Sequence, residues 1–504
     1  MSLLGIDLGT TGCKALVFND NNGECFANSY KEYSLMISKE GYVEYNPAEV
    51  LESIKIVIKN VNSDPEVMKD PIEAFSVSVS GDEVVPINKS GDALSNMICS
   101  LDIRGVEENK YICQEIGTKK LYDITGLPPS NMYALNRILW FKNNKPGIYN
   151  GTYKFASWDS YIFKNFGLDC VSDYSVSSRT LAFDILKKEW CQEILDKLDI
   201  SIELFPECFP SGKVIGLLPE KLGNELGFKR KVHTVIGGFD QICAALGSGV
   251  IKRGLGSVGT GTVESMQVFV SNPITTENML KSSYPFSNHV LGNSYICLTI
   301  NFGGGSLLKW FRDSLAYEEK LEANDRNIDI YKLFDEKAAK SRCPLMVYPY
   351  FEGAQTPLND PFAKGLMLGF TLGTKKEDII RGILEGITYE LKLNINKLEE
   401  NGIKIDSLKA SGGGSKSDFW LQLKADITGK LIQSLNINEA GCLAASVIAG
   451  YGIGKYSSIE EAINAFVKIK NEYYPNKDQF EYYGKRFESY KKIYPLISEY
   501  IKDI

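Results

Sequence analysis

Histidine is nearly missing from this chain: only His233 and His289 occur in 504 residues, and neither has a second candidate ligand three or four positions away. That scarcity argues against histidine-rich zinc sites and against a serine–histidine triad. His233 lies in the alternating run KVHTVIGG, where a strand histidine with an ordinary hydrogen bond is sufficient. Eleven cysteines are present, but no two are spaced CxxC and their number is odd. They read as reduced thiols used as small apolar packing residues. Positive charge is not in excess either. Lys and Arg number 56 against 63 Asp and Glu, for a net charge of -7 and a pI near 5.3, so nothing favours a nucleic-acid partner. No apolar run approaches the roughly 18 residues that cross a bilayer, and no basic-then-apolar leader precedes Asp7. The expectation is a cytoplasmic protein with no membrane partner. What is present, 44% hydrophobic and 24% charged residues, suits a globular protein of two or more domains.

A glycine–threonine turn occurs twice, in GIDLGTTGCKALVF at 5–18 and in GLGSVGTGTVESMQVF at 254–269. An apolar run enters each turn and an alternating run leaves it, which reads as strand, tight turn, strand. Glycine allows close backbone approach, while amides and threonine hydroxyls can donate to phosphate oxygens. The P-loop string GxxxxGK followed by Ser or Thr is absent, and the first turn leads into a strand, so no helix dipole assists it. One such hairpin would be an ordinary turn. Two, spaced about a domain apart, suggest an internal duplication with two lobes facing one nucleotide. Asp7 lies inside an apolar strand, a costly position for an acid unless it is paired or near a metal, and magnesium is the expected reason.

With histidine scarce, a general base near neutral pH is a carboxylate, and Asp240 in VIGGFDQICAALGSGV at 235–250 is the best placed. It follows a β-branched strand and opens a small-residue helix, so both a catalytic role and a helix N-cap fit. A third glycine cluster, ASGGGSKSDFWLQLKADITG at 410–429, reads as strand, close turn and a helix over 418–428. It suits either an adenosine site or a plain helix entry. Strands are expected at 3–7, 13–18, 74–80 and 232–236 in the first half, and at 256–258, 262–270, 294–300 and 345–348 in the second. Helices are expected at 50–62, 104–116 and 376–400, and residues 247–254 form a hinge between lobes 1–248 and 249–504. Lys14 can face the phosphates or solvent by strand alternation.

The ordered set GIDLGTTG, GGFDQ, GSVGTGT, KGLMLGFTLGTKKEDIIRGILEG and SGGGSKSDFW resembles the FGGY family of carbohydrate kinases over nearly the whole chain. The resemblance implies an α/β fold of two ribonuclease H-like (actin-like ATPase) domains, with ATP and Mg2+ in the cleft and a small sugar or polyol deeper in the N-terminal lobe. By the same resemblance Asp240 is the catalytic aspartate, Asp7 helps hold magnesium, and Thr10 and Thr11 form the first phosphate turn. Gly259 and Thr260 form the second, and Gly412 and Gly413 the adenosine loop. The substrate loop then follows strand 74–80 as Gly81-Asp82-Glu83, matching neither the Gln-Met-His of xylulokinases nor the Gln-Arg-Glu of glycerol kinases, although Glu83 coincides with the latter. In ICSLDIRG, Asp102 and Arg104 stand where xylulokinases have WNDGR, with Ser100 in place of tryptophan. Segment 171–185, containing SRT, is glycerol kinase-like and reads as structural. Asp82, Glu83 and Asp102, with Arg104 the one nearby cation, predict a neutral acceptor: a ketopentose such as xylulose ahead of glycerol or another polyol, with gluconate last. A sugar-responsive or assembling actin-like ATPase stays open as another class, as does a homodimer. A chaperone does not fit, because the residues after Tyr456 are too few for a peptide-binding domain.

Overall fold

The computed structural model describes residues 1–341, 345–437 and 439–501. The first apolar run folds as the hairpin expected: strands Ser2–Leu8 and Gly12–Asn19 pair antiparallel, with Asp7 opposite Lys14. Cys25–Glu32 extends this hairpin on one side. On the other, Ile72–Val79 and then His233–Phe239 add in parallel, and Val214–Leu217 closes the edge antiparallel. The strand order is that of a six-stranded sheet centred on the hairpin and its parallel neighbour.

The second half repeats this plan. Gly254–Thr260 and Glu264–Val270 form the hairpin, Tyr295–Asn301 and Phe286–Asn288 extend it antiparallel, and Ile405–Ser411 and Leu431–Leu435 add in parallel. Ile469–Tyr473 closes the far edge antiparallel, as Val214–Leu217 does in the first sheet. Helices Lys376–Glu400 and Asp418–Thr428 occupy the residues their apolar spacing predicts. Two expected bounds shift for local reasons. The strand expected from 262 begins at Glu264, because residues 261–263 make the hairpin tip. The helix expected from Arg104 begins at Val106, because Gly105 adopts φ 93°, a left-handed conformation that L side chains disfavour and that breaks the helix before it.

Helix Ala440–Gly452 crosses back. Its Cys442, Leu443, Val447 and Ile448 are buried in one cluster with Leu4, Ile6, Val77 and Val235 of the first sheet, and helix Ile459–Phe466 adds Ile459, Ile463 and Phe466 to that cluster. The approach to the sheet is close enough that a Cβ on Gly5 would lie 1.9 Å from the Cys442 carbonyl oxygen. Helix Asp240–Gly247 packs across the same helix. The chain then returns to the second lobe, where Tyr483, Phe487, Tyr490 and Tyr494 of helix Lys477–Ile501 pack with Ile383, Ile387 and Tyr389 of helix Lys376–Glu400. Among the described residues no helix is long and apolar enough to cross a membrane.

Candidate active site

Strand His233–Phe239 breaks register between Val235 and Gly238, resumes pairing at Gly238 and Phe239, and ends directly before the residue that opens the next helix. That residue is Asp240. It is the first residue of its helix, Phe239 takes the N-cap position, and among the described residues its carboxylate accepts one hydrogen bond, from the adjacent Gln241 amide at 2.6 Å. The N-cap reading of Asp240 is therefore displaced by one residue. Burial, followed by the nearby carboxylates of Asp7, Glu83 and Asp82, pushes its pKa well above the usual range for aspartate. Asp7 sits opposite Ser78 in the sheet and accepts its hydroxyl at 2.5 Å. Burial raises its pKa too, against the lowering pull of Ser78 and Lys14. Asp7, the adjacent Asp82 and Glu83, and Asp240 are thus brought together from three distant stretches of sequence.

The acceptor side differs from its expectation in charge. Asp82 is paired with Arg179, whose Nε and Nη2 donate at 3.0 and 3.3 Å. Arg179 lies 5.0 Å from the ring centres of both Tyr133 and Phe239. Buried Arg137 donates to the carbonyl oxygens of Asp82 at 3.0 Å, Ser100 at 3.1 Å and Met132. Asp102 accepts four bonds, from Val43 N at 2.6 Å and from Arg104 N, Nε and Nη2 at 2.7, 2.8 and 2.6 Å. Arg104 also pairs with Glu44 at 2.7 Å and lies over the rings of Tyr42 and Trp140. Asp102 and Arg104 therefore close upon each other and pin the loop. Arg104 is not the lone cation, since Arg137 and Arg179 arrive from segments remote in sequence. Both were missed, although an arginine inside the apolar helix ALNRILWF, and the SRT motif itself, were signals. Glu83 is buried, and three buried atoms of this cluster have no hydrogen-bond partner among the described residues: Glu83 Oε2, Arg137 Nε and Arg179 Nη1.

On the nucleotide side the first tip holds exposed Thr10 and Thr11. Its carbonyls are drawn inward, Gly9 O by the Tyr33 hydroxyl and Thr10 O by the Tyr45 hydroxyl at 3.2 Å. Gly259 lies one residue before Thr260, which is 3% exposed. The Thr260 hydroxyl donates to Glu264 Oε2 at 2.7 Å, and Lys424 Nζ caps the same oxygen from helix Asp418–Thr428. The hydroxyl expected to face phosphate is committed inside the lobe. The exposed residues of this tip are Gly261 and Thr262. Gly412 is held against Thr260, where an added Cβ would lie 2.7 Å from the Thr260 carbonyl oxygen, and its φ of 76° suits glycine. Gly413 starts a short 3-10 turn after it. Lys14 pairs with Glu439 at 2.7 Å and is partly exposed. Gln241 Oε1 accepts from Ser265 at 3.3 Å and Gln267 at 2.9 Å, which ties the residue after Asp240 to the second hairpin. His289 takes no part. Its Nε2 bonds Val250 O at 2.9 Å, and burial lowers its pKa to about 4.

Two sheets of one plan, each presenting a hairpin to a shared carboxylate cluster, define a two-domain actin-like ATPase fold. The chain belongs to the FGGY family of carbohydrate kinases: the model of the family's N-terminal domain matches residues 2–247 and that of its C-terminal domain residues 255–453. It is 28% identical over 495 residues to a xylulose kinase of Bacillus subtilis, covering 98% of this chain and 96% of that one. To a glycerol kinase of Saccharolobus islandicus it is 30% identical over 489 residues, covering 95% and 93%. The solved gluconate kinase of Lactobacillus acidophilus is 25% identical and superposes with a TM-score of 0.88, covering 98% of each chain. The protein is accordingly a carbohydrate kinase, a phosphotransferase with an alcohol group as acceptor. Membership of the family implies the use of ATP, usually with Mg2+.

Proposed function

We propose that this kinase phosphorylates a hydroxyl of a neutral ketose or polyol, with a ketopentose such as xylulose first and glycerol second. The observation that carries the acceptor reading is the balance around Glu83. Asp82, Glu83 and Asp102 are matched by Arg104, Arg137 and Arg179, leaving one orphaned acceptor atom beside two orphaned donors. A hydroxyl of the ligand both donates and accepts and can serve all three, whereas a carboxylate group can serve only the donors and would stand beside Glu83. The neutral preference thus rests on matched donors and acceptors rather than on surplus negative charge. The relatives add support in that one acts on xylulose and another on glycerol.

Phosphoryl transfer asks for in-line geometry, neutralised phosphate charge and a destination for the hydroxyl proton. When bound, ATP with magnesium supplies the phosphoryl group and the compensating charge. Asp7 fits a magnesium site: its carboxylate accepts the Ser78 hydroxyl on Oδ1, and magnesium is commonly held by one or two carboxylates plus substrate phosphates. Thr10 and Thr11 would donate to the phosphates by hydroxyl and amide, and Gly259 and Thr260 by main chain alone. Gly412 and Gly413 would seat the adenosine. Asp240 would take the proton, and its neighbours raise its proton affinity for that task. The lobe of the first sheet, with residues 440–466 packed upon it, and the lobe of the second sheet would close over the reactants.

An ADP-coupled screen over ketopentoses, ketohexoses, glycerol, tetritols and aldonates tests the acceptor. We expect the highest kcat/KM with a neutral ketose or polyol, and a value for gluconate above all of these overturns the reading. Asp240→Asn tests the base. It should lower kcat by about 10² to 10⁴ with MgATP binding retained. The variant should also be at least as stable as the parent. A carboxyl whose folded pKa is raised loses stability as pH climbs from its unfolded to its folded pKa, so removing that ionisation gains most toward alkaline pH. Near-parental kcat together with lower stability would show that Asp240 serves the helix, not the reaction.

A further inference from the structure

Beyond the bulge, the amide of Phe239, the residue before Asp240, has a buried partner. Phe239 N donates to Ser175 Oγ at 2.8 Å. Ser175 in turn donates both its hydroxyl and, at 2.6 Å, its amide to Asp173 Oδ1. The other oxygen, Asp173 Oδ2, accepts the Ser211 hydroxyl at 2.7 Å. Asp173 and Ser175 are each 1% exposed. Residues next to Ser211 grip the bulge from its other side: Gly212 N donates to Ile236 O at 2.8 Å and Ile236 N to Lys213 O at 3.0 Å. Asp173 N itself donates at 2.9 Å to Asp159 Oδ2, a second buried carboxylate, which Ser157, Ser160 and Ser172 also serve. No salt bridge reaches Asp159 or Asp173 among the described residues. Two buried acids without a cation are costly to keep for packing alone, and the path from Asp173 through Ser175 ends on the Gly238–Phe239 peptide, one residue before Asp240.

We propose that Ser175, oriented by Asp173, is a positioning residue for phosphoryl transfer: it fixes the Gly238–Phe239 peptide, one residue before Asp240, so that the Asp240 carboxylate meets the acceptor hydroxyl. The segment 172–180 then has two duties, since Arg179 at its other end pairs with Asp82 and lies against the Phe239 ring. The relay does not touch nucleotide or acceptor, and its effect falls on kcat rather than on KM. Displacements of about 1 Å remote from the reacting atoms can cost on the order of 10²-fold.

The proposal rests on Asp240 acting as base, and a double-mutant cycle separates the two. Ser175→Ala should lower kcat by roughly 10- to 100-fold, with KM for MgATP and for the acceptor little changed. Asp173→Asn keeps Oδ1 as an acceptor for Ser175 and lets the Ser211 hydroxyl turn round to accept, so it should recover most of the activity that Asp173→Ala loses. In an Asp240→Asn background Ser175→Ala should add little further loss, because its effect runs through the group already removed. If Ser175→Ala leaves kcat unchanged, or if its loss multiplies in full with that of Asp240→Asn, the positioning role is overturned while the base reading stands. A parental kcat in Asp240→Asn sinks the base reading by itself. Should Ser175→Ala not fold, Asp173→Asn and Asp173→Ala carry the test alone: equal kcat in these two would overturn the proposal.

Discussion

The two hairpins share one strand plan and differ in where each places its charge and its threonines. In the first, Thr10 and Thr11 stand exposed at a four-residue tip, and the nearby ion pair, Lys14 with Glu439, is half-exposed. In the second, the tip is three residues, Thr260 is buried, and the ion pair of Glu264 with Lys424 lies inside the lobe at 3% and 1% side-chain exposure. The duplication has kept the backbone and exchanged the contents. One hairpin is organised toward the cleft; the other is bolted to the helix that follows the glycine-rich loop. Similar strings of Gly and Thr thus need not carry the same side-chain duty.

Breaking the inner pair should have the largest consequence for this contrast. Lys424→Met leaves Glu264 buried without its cation, and a loss of about 3 to 5 kcal/mol is expected by denaturant titration. A loss no greater than that of a surface pair would show that the second hairpin is not anchored in this way. Next come the threonines. Thr260→Val should cost about 1 to 3 kcal/mol of stability, because Glu264 loses a donor, and KM for MgATP should stay near its parental value. Thr11→Val should do the reverse, with stability kept and MgATP use weakened. Identical behaviour of the two variants in both assays would erase the distinction. The smallest effect is expected at Lys14→Met, about 0 to 1 kcal/mol for a half-exposed pair, diminishing further at high salt. Stability that falls by several kcal/mol would place Lys14 with Lys424 rather than opposite it.

The sequence made the scaffold legible wherever local pattern decides structure. Helices 376–400 and 418–428 show because apolar residues recur at helical spacing, and the hairpins show because β-branched runs flank glycine turns. The meeting of Asp7 with Asp240 was readable through motif order. Direction and partnership at the site were not. Thr260 and Thr262 are indistinguishable in the string GTGT, and only the register, Thr260 opposite Glu264, decides which one turns inward. Arg137 and Arg179 stand 55 and 97 residues from Asp82, so neither local composition nor periodicity links them to it. Lys14 presented a choice of two faces, and its partner comes from a residue 425 positions away.

The return of helix Ala440–Gly452 to the first sheet bears on how the chain is made. Strands through residue 239 emerge from a ribosome well before the helix that covers Leu4, Ile6 and Val77 has been translated, and the slot left by Gly5 accepts a backbone rather than a side chain. The nascent first lobe must wait for about two hundred residues of synthesis with one apolar face of its sheet open. Apolar surface open during such an interval is prone to aggregation, even though the finished kinase keeps the face covered. Ribosome-bound chains stalled at 300 should therefore be protease-sensitive in residues 1–80, and chains stalled late enough to release residue 466 from the exit tunnel should be protected.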